Sequence, residues 1–364
     1  MDRLLLTLQV WLGALGVLGV TAAVPALGVE HGLRVVAALV VTILVARIPV
    51  RTVVRASPWL YGVTSLLLIL VLIVGVSPAG SDAKRWLLVG GISIQPSELM
   101  KVAVIAYLAA FFHNHLGDWQ IWRPMLVVGL AAGLIVAEPD VSTALFLFAL
   151  AFAVMLAAGT TLTRLLSIST AAALIALVVG GPYLSQFGYL SDRIAGFQDL
   201  WGAQEATDTT SYQAYRAREA LAAAGVVGLG AGRPVYVPAA ETDMVAISIG
   251  RTLGLPGMAT LVLLYLLVAS RGLRIAAAQA GPGSLLAAGA TAYLCGQAAL
   301  NLLVAAGLFP VTGIPLPFVS YGLNSLVSVA IAFGLLHAAH REARAADAPE
   351  AETDRTAPGR QGPA

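Results

Sequence analysis

The sequence predicts an all-α integral membrane protein that crosses the bilayer about ten times, and three observations support this fold class. Of the 364 residues, 59% are hydrophobic and only 11% are charged, whereas a soluble domain carries about 25% charged residues. Apolar runs of about 17 residues or more recur along the whole chain, and each is long enough to cross the hydrocarbon core. The charged residues are concentrated between these runs.

Ten spans follow from the apolar runs. The fifth and sixth are short and flank Glu138-Pro139-Asp140, so these two need not each cross the bilayer completely. The first run lacks a small-residue cleavage site, so we interpret it as a retained helix rather than a signal peptide. The expected bounds are approximately 5–27, 33–49, 58–76, 97–113, 124–137, 142–159, 163–184, 244–270, 284–308 and 318–340.

The positions of basic residues predict the orientation. With a cytoplasmic N-terminus, the short outer loops hold only Arg34, Lys84 and Arg85. The positive-inside rule then places both termini in the cytoplasm and segment 185–243 outside. The more numerous inner basic residues are Arg3, Arg47, Arg51, Arg55, Arg123, Arg164, Arg271, Arg274, Arg341 and Arg344.

Two segments outside the spans differ in character. Segment 185–243, between the seventh and eighth spans, is too long for a simple connection. Within it, residues 212–224 have a helical pattern, and the glycines of 225–232 are expected to form a flexible hinge. Residues 345–364 are rich in Ala, Pro, Glu and Asp, so we expect a transmembrane domain over 1–344 followed by a disordered cytoplasmic tail.

Ionisable residues at or inside the spans are the candidates for function, because a charge in a membrane is costly unless it is solvated, paired or used. Asp243 stands at the outer mouth of the eighth span, where it can serve chemistry or cap the helix N-terminus. Glu98 and Lys101 share one face of the fourth helix, as a structural ion pair or as functional groups. Glu138 and Asp140 fit either a site or a solvated outer turn.

Three further features point to the outer side. Trp86 suits a membrane interface, and Arg251, in the eighth span, is placed to meet an acidic group or a lipid phosphate. Between the ninth and tenth spans, GLFPVTGIPLPFVSYGLNSL breaks helix repeatedly with Pro and Gly. Non-helical backbone at membrane depth persists only inside protein or beside a wet cavity, so this loop is expected to fold back toward a site.

These features fit either an enzyme acting on an anionic lipid-linked substrate or a transporter. The single cysteine, Cys295, excludes an internal disulfide and a multi-cysteine metal site. GLGAG lacks the ending of a nucleotide-binding loop. There is no large basic soluble face for nucleic acid.

Six ordered motifs make the sequence resemble the SEDS family of RodA, FtsW and their sporulation relative. They are RWLLVGGISIQPSELMK (85–101), EPDVSTAL (138–145), DRIAGFQD (192–199), YQ with a later glycine run (212–232), VPAAETD with IGRTLGLPG (237–257) and GLFPVTGIPLPFVSYGLNSL (307–326).

The resemblance implies a ten-helix fold and peptidoglycan glycosyltransferase activity on lipid II. The implied partners are a class B penicillin-binding protein and other elongation or division proteins, and a divalent cation, Mg²⁺ or Mn²⁺, is left open. The family's essential acidic residue falls on Asp243, our candidate catalytic base. Candidate substrate-binding positions are Lys101, Glu98, Trp86, Gln95, Asp140, Arg193, Gln213, Arg251, Ser320 and Tyr321.

Several positions depart from the family pattern. The family usually has two acidic residues at Arg251 and Thr252, two small residues at Leu323 and Asn324, Gln at position 138 and Gly at position 142, and His at position 241. A RodA-like elongation role is slightly favoured over division. A lipid II flippase and a non-catalytic scaffold for a cell-wall synthase are the alternative functions.

Overall fold

The computed structural model describes residues 1–77, 84–114, 121–171, 173, 209–232 and 236–346. These ranges are helical apart from loops and one hairpin, whose strands β1 (Leu87–Val89) and β2 (Ile92–Ile94) pair antiparallel. The α-helices are α1 (Arg3–Ala23), α2 (Gly28–Ala46), α3 (Val50–Val74), α4 (Pro96–Asn114), α5 (Trp122–Ala137), α6 (Val141–Ala157), α7 (Thr209–Ala224), α8 (Val245–Ala277), α9 (Pro282–Ala305) and α10 (Leu323–Ala346).

The helix lengths confirm the predicted membrane architecture. Within the described residues, six helices are long and apolar enough to cross a membrane, while α5 and α6 are shorter apolar helices, as the sequence indicated. For the expected seventh span, the backbone is helical over 162–171. The rest of that span, Arg193 and the tail after Ala346 lie outside the described residues.

Helix α4 lies at the centre of the bundle. Pro96 opens it, since proline suits the first helical turn, and most of its side chains are buried, including Glu98 and Lys101. It packs against α3, α5, α6, α9 and α10. By contrast, only 22% of the apolar window of α3 is buried inside the protein, which is the pattern of a helix that faces lipid. The polar residues of α4 therefore lie inside the protein.

Several predicted boundaries were wrong; the second span's start (Gly28), the eighth span's end (Ala277) and the tenth span's end (Ala346) differ from the expected bounds by five to seven residues. The first span ends at Ala23, because Pro25 starts a separate 3₁₀ turn. Helix α3 begins at Val50 and passes through Pro58, eight residues before the expected start of that span. The tenth span begins at Leu323 rather than 318, because the preceding residues are held in a non-helical loop.

The N-terminus and the end of α10 lie on the same side of the bundle. The carboxylate of Asp2 caps α1 by accepting the Leu5 N–H at 2.8 Å. The same carboxylate accepts the Arg271 Nε at 2.9 Å and lies 3.5 Å from the His340 ring. Three helices, α1, α8 and α10, are therefore joined at one end.

The glycine run before the Asp243 segment is docked rather than hinged. Helix α8 is kinked at Gly254, where φ is 66° and ψ is −152°. The backbone of 226–230 packs into that kink through three hydrogen bonds: Leu229 N to Arg251 O at 2.8 Å, Gly230 N to Thr252 O at 3.0 Å and Leu255 N to Val226 O at 3.0 Å. The expected flexible hinge over 225–232 was therefore wrong, because these main-chain bonds fix the segment to α8.

We expect Gly254→Ala to lower the thermal unfolding midpoint by several degrees. A Cβ at position 254 would lie 2.3 Å from the Val226 carbonyl oxygen, and this φ/ψ combination, which is essentially confined to glycine, alone costs another residue about 1–3 kcal/mol. Thermal unfolding of the detergent-purified protein measures this. The control is Gly129→Ala in α5, where an added Cβ meets nothing within 4 Å. Equal midpoints for the two variants would contradict the docked arrangement.

Candidate functional site

Asp243 lies in a tight turn immediately before α8. Within this turn, the Ala239 carbonyl accepts the Thr242 N–H at 3.1 Å and the Met244 N–H at 3.0 Å. The N-cap residue of α8 is Met244, with no side-chain cap, so the alternative of Asp243 as the helix cap was wrong. Asp243 is half-buried, which places a carboxylate at the junction of polar segment and apolar helix, as the sequence predicted.

The loop between α9 and α10 folds back onto this turn, which confirms the expectation from its prolines and glycines. The Ser320 hydroxyl donates to the Thr242 carbonyl at 2.7 Å. The Tyr321 N–H donates to the Glu241 carbonyl at 2.8 Å. Asn301, on α9, donates to the Asp243 carbonyl at 2.7 Å. Two different segments thus hold the Asp243 turn through its main-chain carbonyls.

Gly313 of the same loop lies beside the Asp243 side chain. A Cβ built on Gly313 would be 3.5 Å from Asp243 Oδ2. Gly313 has φ +72°, a conformation that favours glycine. The loop backbone is therefore in close approach to the carboxylate, and a larger residue there would be strained.

Lys101 and Glu98 form a buried ion pair inside α4. Lys101 Nζ lies 2.7 Å from Glu98 Oε1 and 2.9 Å from Gln297 Oε1. Lys101 is 1% exposed and Glu98 is 4% exposed. The ammonium also lies 5.2 Å from the centre of the Tyr293 ring. In this conformation Lys101 is therefore committed to protein partners and does not lie on an open surface.

Glu98 is further tied to α9 and α10. The Tyr293 hydroxyl lies 3.3 Å from Glu98 Oε2 and 2.9 Å from the Ser328 hydroxyl. Ser328 donates to the Glu98 carbonyl at 2.6 Å. A buried charge pair is tolerated only when its remaining lone pairs and protons are hydrogen-bonded. Three helices meet this requirement here, so the pair both fixes the bundle and holds charge near the site.

The break between α5 and α6 is buried, so the alternative of a solvated outer turn was wrong. Glu138 is 0% and Asp140 is 6% exposed. Arg85 donates to the backbone carbonyls of Glu138, at 3.2 Å, and Pro139, and it lies 3.7 Å from Asp140 Oδ2. Asp140 caps α6 by accepting the Thr143 N–H at 3.2 Å. The Arg85 guanidinium, which lies just before the β-hairpin, therefore holds the backbone of this break through hydrogen bonds.

Neither carboxyl oxygen of Glu138 has a hydrogen-bond partner in the described structure. Burial, reinforced by the nearby Asp140 carboxylate and opposed by Arg85, raises the pKa of Glu138 to about 8. Glu138 is therefore a proton-carrying group near neutral pH.

Other predicted site residues have mainly positioning contacts. Trp86 is half-buried, and its carbonyl accepts the Val76 N–H at 2.8 Å. The Gln95 carbonyl accepts the Glu98 N–H at 3.2 Å at the start of α4. Gln213, on α7, donates to the Pro238 carbonyl at 3.2 Å. The Tyr321 ring lies 4.2 Å from the guanidinium of Arg34.

Arg251 lies apart from these contacts, in a crevice between α7 and α8. The crevice has a volume of about 100 Å³. Arg216 is in its wall and is paired with Glu219 at 2.5 Å. The crevice is lined by Arg216, Glu219, Ala220, Ala223, Tyr236 and Arg251.

The sequence analysis missed Gln297 and Asn301. Both are buried and both contact the loop that covers the site. The sequence did contain a signal for these two residues, because two amide side chains four residues apart stand in the mainly apolar ninth span. This spacing places them on one helix face. Their partners could not be derived, since these lie on other segments.

Comparison with known proteins agrees with this architecture. Residues 15–345 match the model of the FtsW, RodA and SpoVE family, described as cell cycle proteins. The chain belongs to this family. It is 32% identical over 306 residues to a probable peptidoglycan glycosyltransferase FtsW of Coxiella burnetii, covering 80% of each chain. A protein of the same name from Thioalkalivibrio sulfidiphilus is 35% identical over 298 residues, covering 78% of this chain and 72% of the relative.

Two solved structures extend the likeness to the FtsW, RodA and SpoVE fold. A chain of a peptidoglycan synthase complex that coordinates polymerization and crosslinking has a TM-score of 0.80 at 27% identity, covering 94% of this chain and 98% of that chain. The rod shape determining protein RodA of Thermus thermophilus has a TM-score of 0.70 at 26% identity, covering 94% and 97%.

One departure from the usual FtsW, RodA and SpoVE pattern has a visible structural role. Asn324, in place of a small residue, donates to the Ser93 carbonyl at 2.9 Å. This bond joins the start of α10 to the middle of β2. The departure at Asn324 therefore adds a contact between α10 and the β-hairpin.

We expect Glu138→Gln to remove a pH-dependent loss of stability. The folded protein keeps the Glu138 proton up to a pKa of about 8, whereas the unfolded chain releases it near pH 4.5. The folded state therefore binds more protons in between, and its stability falls as pH rises through that window and levels off above it.

Thermal unfolding midpoints in detergent, measured from pH 5 to about 9, check this. The wild-type midpoint should fall more steeply than that of Glu138→Gln. Glu30→Gln, at a side chain that is 50% exposed, should keep the wild-type slope. A Glu138→Gln slope equal to that of wild type would show that Glu138 is ionised in the folded protein.

Proposed function

We propose that this chain is a peptidoglycan glycosyltransferase that polymerises lipid II on the outer side of the bacterial inner membrane. Each cycle joins a sugar hydroxyl of one lipid-linked unit to the anomeric carbon of another. The bond from that carbon to the lipid pyrophosphate breaks, and undecaprenyl pyrophosphate leaves. The enzymatic class rests on the family to which the chain belongs and on its similarity to relatives named as probable peptidoglycan glycosyltransferases.

The observation that carries the residue assignment is the fixed position of the Asp243 carboxylate. Its turn is held through main-chain carbonyls by Asn301 and Ser320, and Gly313 of the covering loop lies beside Oδ2. A carboxylate held in this way at the outer mouth of a membrane helix suits proton transfer with a substrate headgroup.

In the proposed mechanism, Asp243 acts as general base. It takes the proton from the attacking hydroxyl as the new carbon–oxygen bond forms. Attack on the face opposite an α-linked pyrophosphate gives a β-linkage, so the reaction inverts the anomeric carbon. The proton is carried on Asp243 and the electron pair of the broken bond stays with the pyrophosphate.

The leaving pyrophosphate needs positive charge. Lys101 is the first candidate, with Arg193 and Arg251 next. Lys101 is held by Glu98 and Gln297 in this conformation, so we propose that it acts as a counter-charge beneath the site unless substrate binding changes its partners. Gln95, Trp86, Gln213, Asp140, Ser320 and Tyr321 remain proposed supports of the substrate cavity.

A divalent cation, Mg²⁺ or Mn²⁺, is also a proposal. Within the described part of the chain, no three His, Cys, Asp or Glu side chains come together as metal ligands. The steps above are assigned to side chains alone.

The partner is proposed to be a class B penicillin-binding protein within an elongation or division complex. The support is the similarity to a chain of a peptidoglycan synthase complex that coordinates polymerization with crosslinking. The similar sequences bear the FtsW name and a similar structure the RodA name, so the elongation role remains a slight preference. Inner-membrane location with both termini cytoplasmic is part of the same proposal.

We expect Asp243→Asn to reduce glycan polymerisation by about 10²–10⁴-fold, because the amide cannot accept the hydroxyl proton. The assay uses purified protein with its cognate penicillin-binding protein, labelled lipid II and separation of glycan chains. Glu342→Gln, the same type of change near the far end of α10, should keep the wild-type rate.

The alternatives give different results in that assay. Polymer formed at the full rate by Asp243→Asn would reject Asp243 as base and send the search to Glu241 or Asp140. Headgroup transfer across vesicles without polymer, with the partner present, would favour the flippase. Neither activity in the wild-type protein would favour the scaffold.

A further inference from the structure

Two buried amides on α9 connect the candidate base to the buried ion pair. Gln297 and Asn301 are four residues apart, so they share one helix face about 6 Å apart along the axis. Gln297 is 0% and Asn301 is 2% exposed. Amides at such depth are costly unless their polar atoms are hydrogen-bonded, so their partners are informative.

Gln297 joins α4 to the covering loop. Its Oε1 accepts the Lys101 ammonium at 2.9 Å, and its Nε2 donates to the Pro315 carbonyl at 2.8 Å. Both ends of the amide are therefore used. Any shift of the loop at Pro315 is transmitted to the position of the Lys101 ammonium.

Asn301 joins the same loop to the Asp243 turn. Its Nδ2 donates to the Ile314 carbonyl at 2.9 Å and to the Asp243 carbonyl at 2.7 Å. Since Ile314 and Pro315 are adjacent, the side-chain amides of Gln297 and Asn301 donate hydrogen bonds to neighbouring carbonyls of one short segment. A continuous series of hydrogen bonds, each 2.9 Å or shorter, thus runs from Lys101 to the main chain of Asp243.

The Asn301 side chain has one further property. Its Oδ1 is buried without a hydrogen-bond partner in the described structure, which is unfavourable. A residue that only fills space would avoid that penalty with an apolar side chain of similar size. What Asn301 provides and an apolar side chain of similar size would not is therefore its two donated hydrogen bonds, to Ile314 and Asp243.

We propose that Gln297 and Asn301 are positioning residues that set where the Asp243 carboxylate lies relative to the Lys101 ammonium. They act through these two groups and are not themselves in contact with substrate. The inference rests on the proposed function, because it assumes that Asp243 is the base. It predicts a loss in the chemical step, since a displacement of about 1 Å at a reacting group costs roughly 10²-fold in rate.

The test uses the full chain with its cognate penicillin-binding protein and labelled lipid II. Asn301→Leu removes both donated bonds at similar volume. Gln297→Glu keeps an acceptor for Lys101 but loses the donor to Pro315. For each variant we expect kcat to fall about 10- to 100-fold while KM changes less than about threefold.

The matched control is Gln279→Leu. Gln279, after α8, also donates to two carbonyls, Ile275 at 3.2 Å and Ala339 at 3.1 Å, but it lies at the other end of the bundle. Its substitution should lower the unfolding midpoint and leave kcat per folded molecule unchanged. A structural role alone would make Asn301→Leu behave in the same way.

A double-mutant cycle tests whether Asn301 acts through Asp243. In an Asp243→Glu background the carboxylate is already displaced, so Asn301→Leu should reduce kcat less than it does in wild type. Additive effects of the two substitutions on kcat would overturn the positioning role, and so would a kcat for Asn301→Leu equal to that of Gln279→Leu. In either case, a defective Asp243→Asn variant would leave the proposed function intact. Full activity of Asp243→Asn would overturn both.

Discussion

The need to satisfy main-chain polar groups inside the protein governs the organisation of this molecule. The segment between α9 and α10 is not helical, so its carbonyls lack the intrahelical partners that a membrane span normally supplies. Side chains replace those partners: Asn301 donates to Ile314, Gln297 to Pro315, and Tyr265 to Pro317 at 2.6 Å. The loop that covers Asp243 exists in this form because helices α8 and α9 carry these donors.

The buried charges follow the same logic. Lys101 and Glu98 are separated from water, and their attraction alone would not offset the cost of desolvation. Tyr293, Ser328 and Gln297 provide the additional hydrogen bonds. The polar contacts that make the pair tolerable also connect α4, α9 and α10, so stability and the arrangement of the site depend on one network.

Three of the departures from the family pattern lie at the edge of this network, whereas Glu241 lies in the Asp243 turn and accepts the Tyr321 N–H through its main-chain carbonyl. Glu138 is buried behind Arg85 at the α5–α6 break. Asn324 contacts the β-hairpin, and Arg251 lies in the crevice beside α7. The Asp243 turn and its contacts with Asn301 and Ser320 involve none of these three. These substitutions are therefore compatible with the same chemistry.

The sequence by itself determined the fold class, the number and order of most spans, the start of α4 at Pro96 and the folding back of the 307–326 loop. These properties depend on local composition, on the length of apolar runs and on helix-breaking residues, all of which are readable along the chain. It also predicted Asp243, Glu98 and Lys101 as candidate site residues, because ionisable residues are rare in apolar spans.

Only the tertiary structure decided which partners those residues have. The sequence does not show that Gln297 bonds Lys101, that Asn301 holds Asp243, or that Glu138 is buried, since each contact joins segments far apart in the chain. The docking of the glycines before Asp243 depends equally on a kink in another helix. Burial and hydrogen bonding are set by how helices pack together, and packing across distant segments is not encoded in any local pattern.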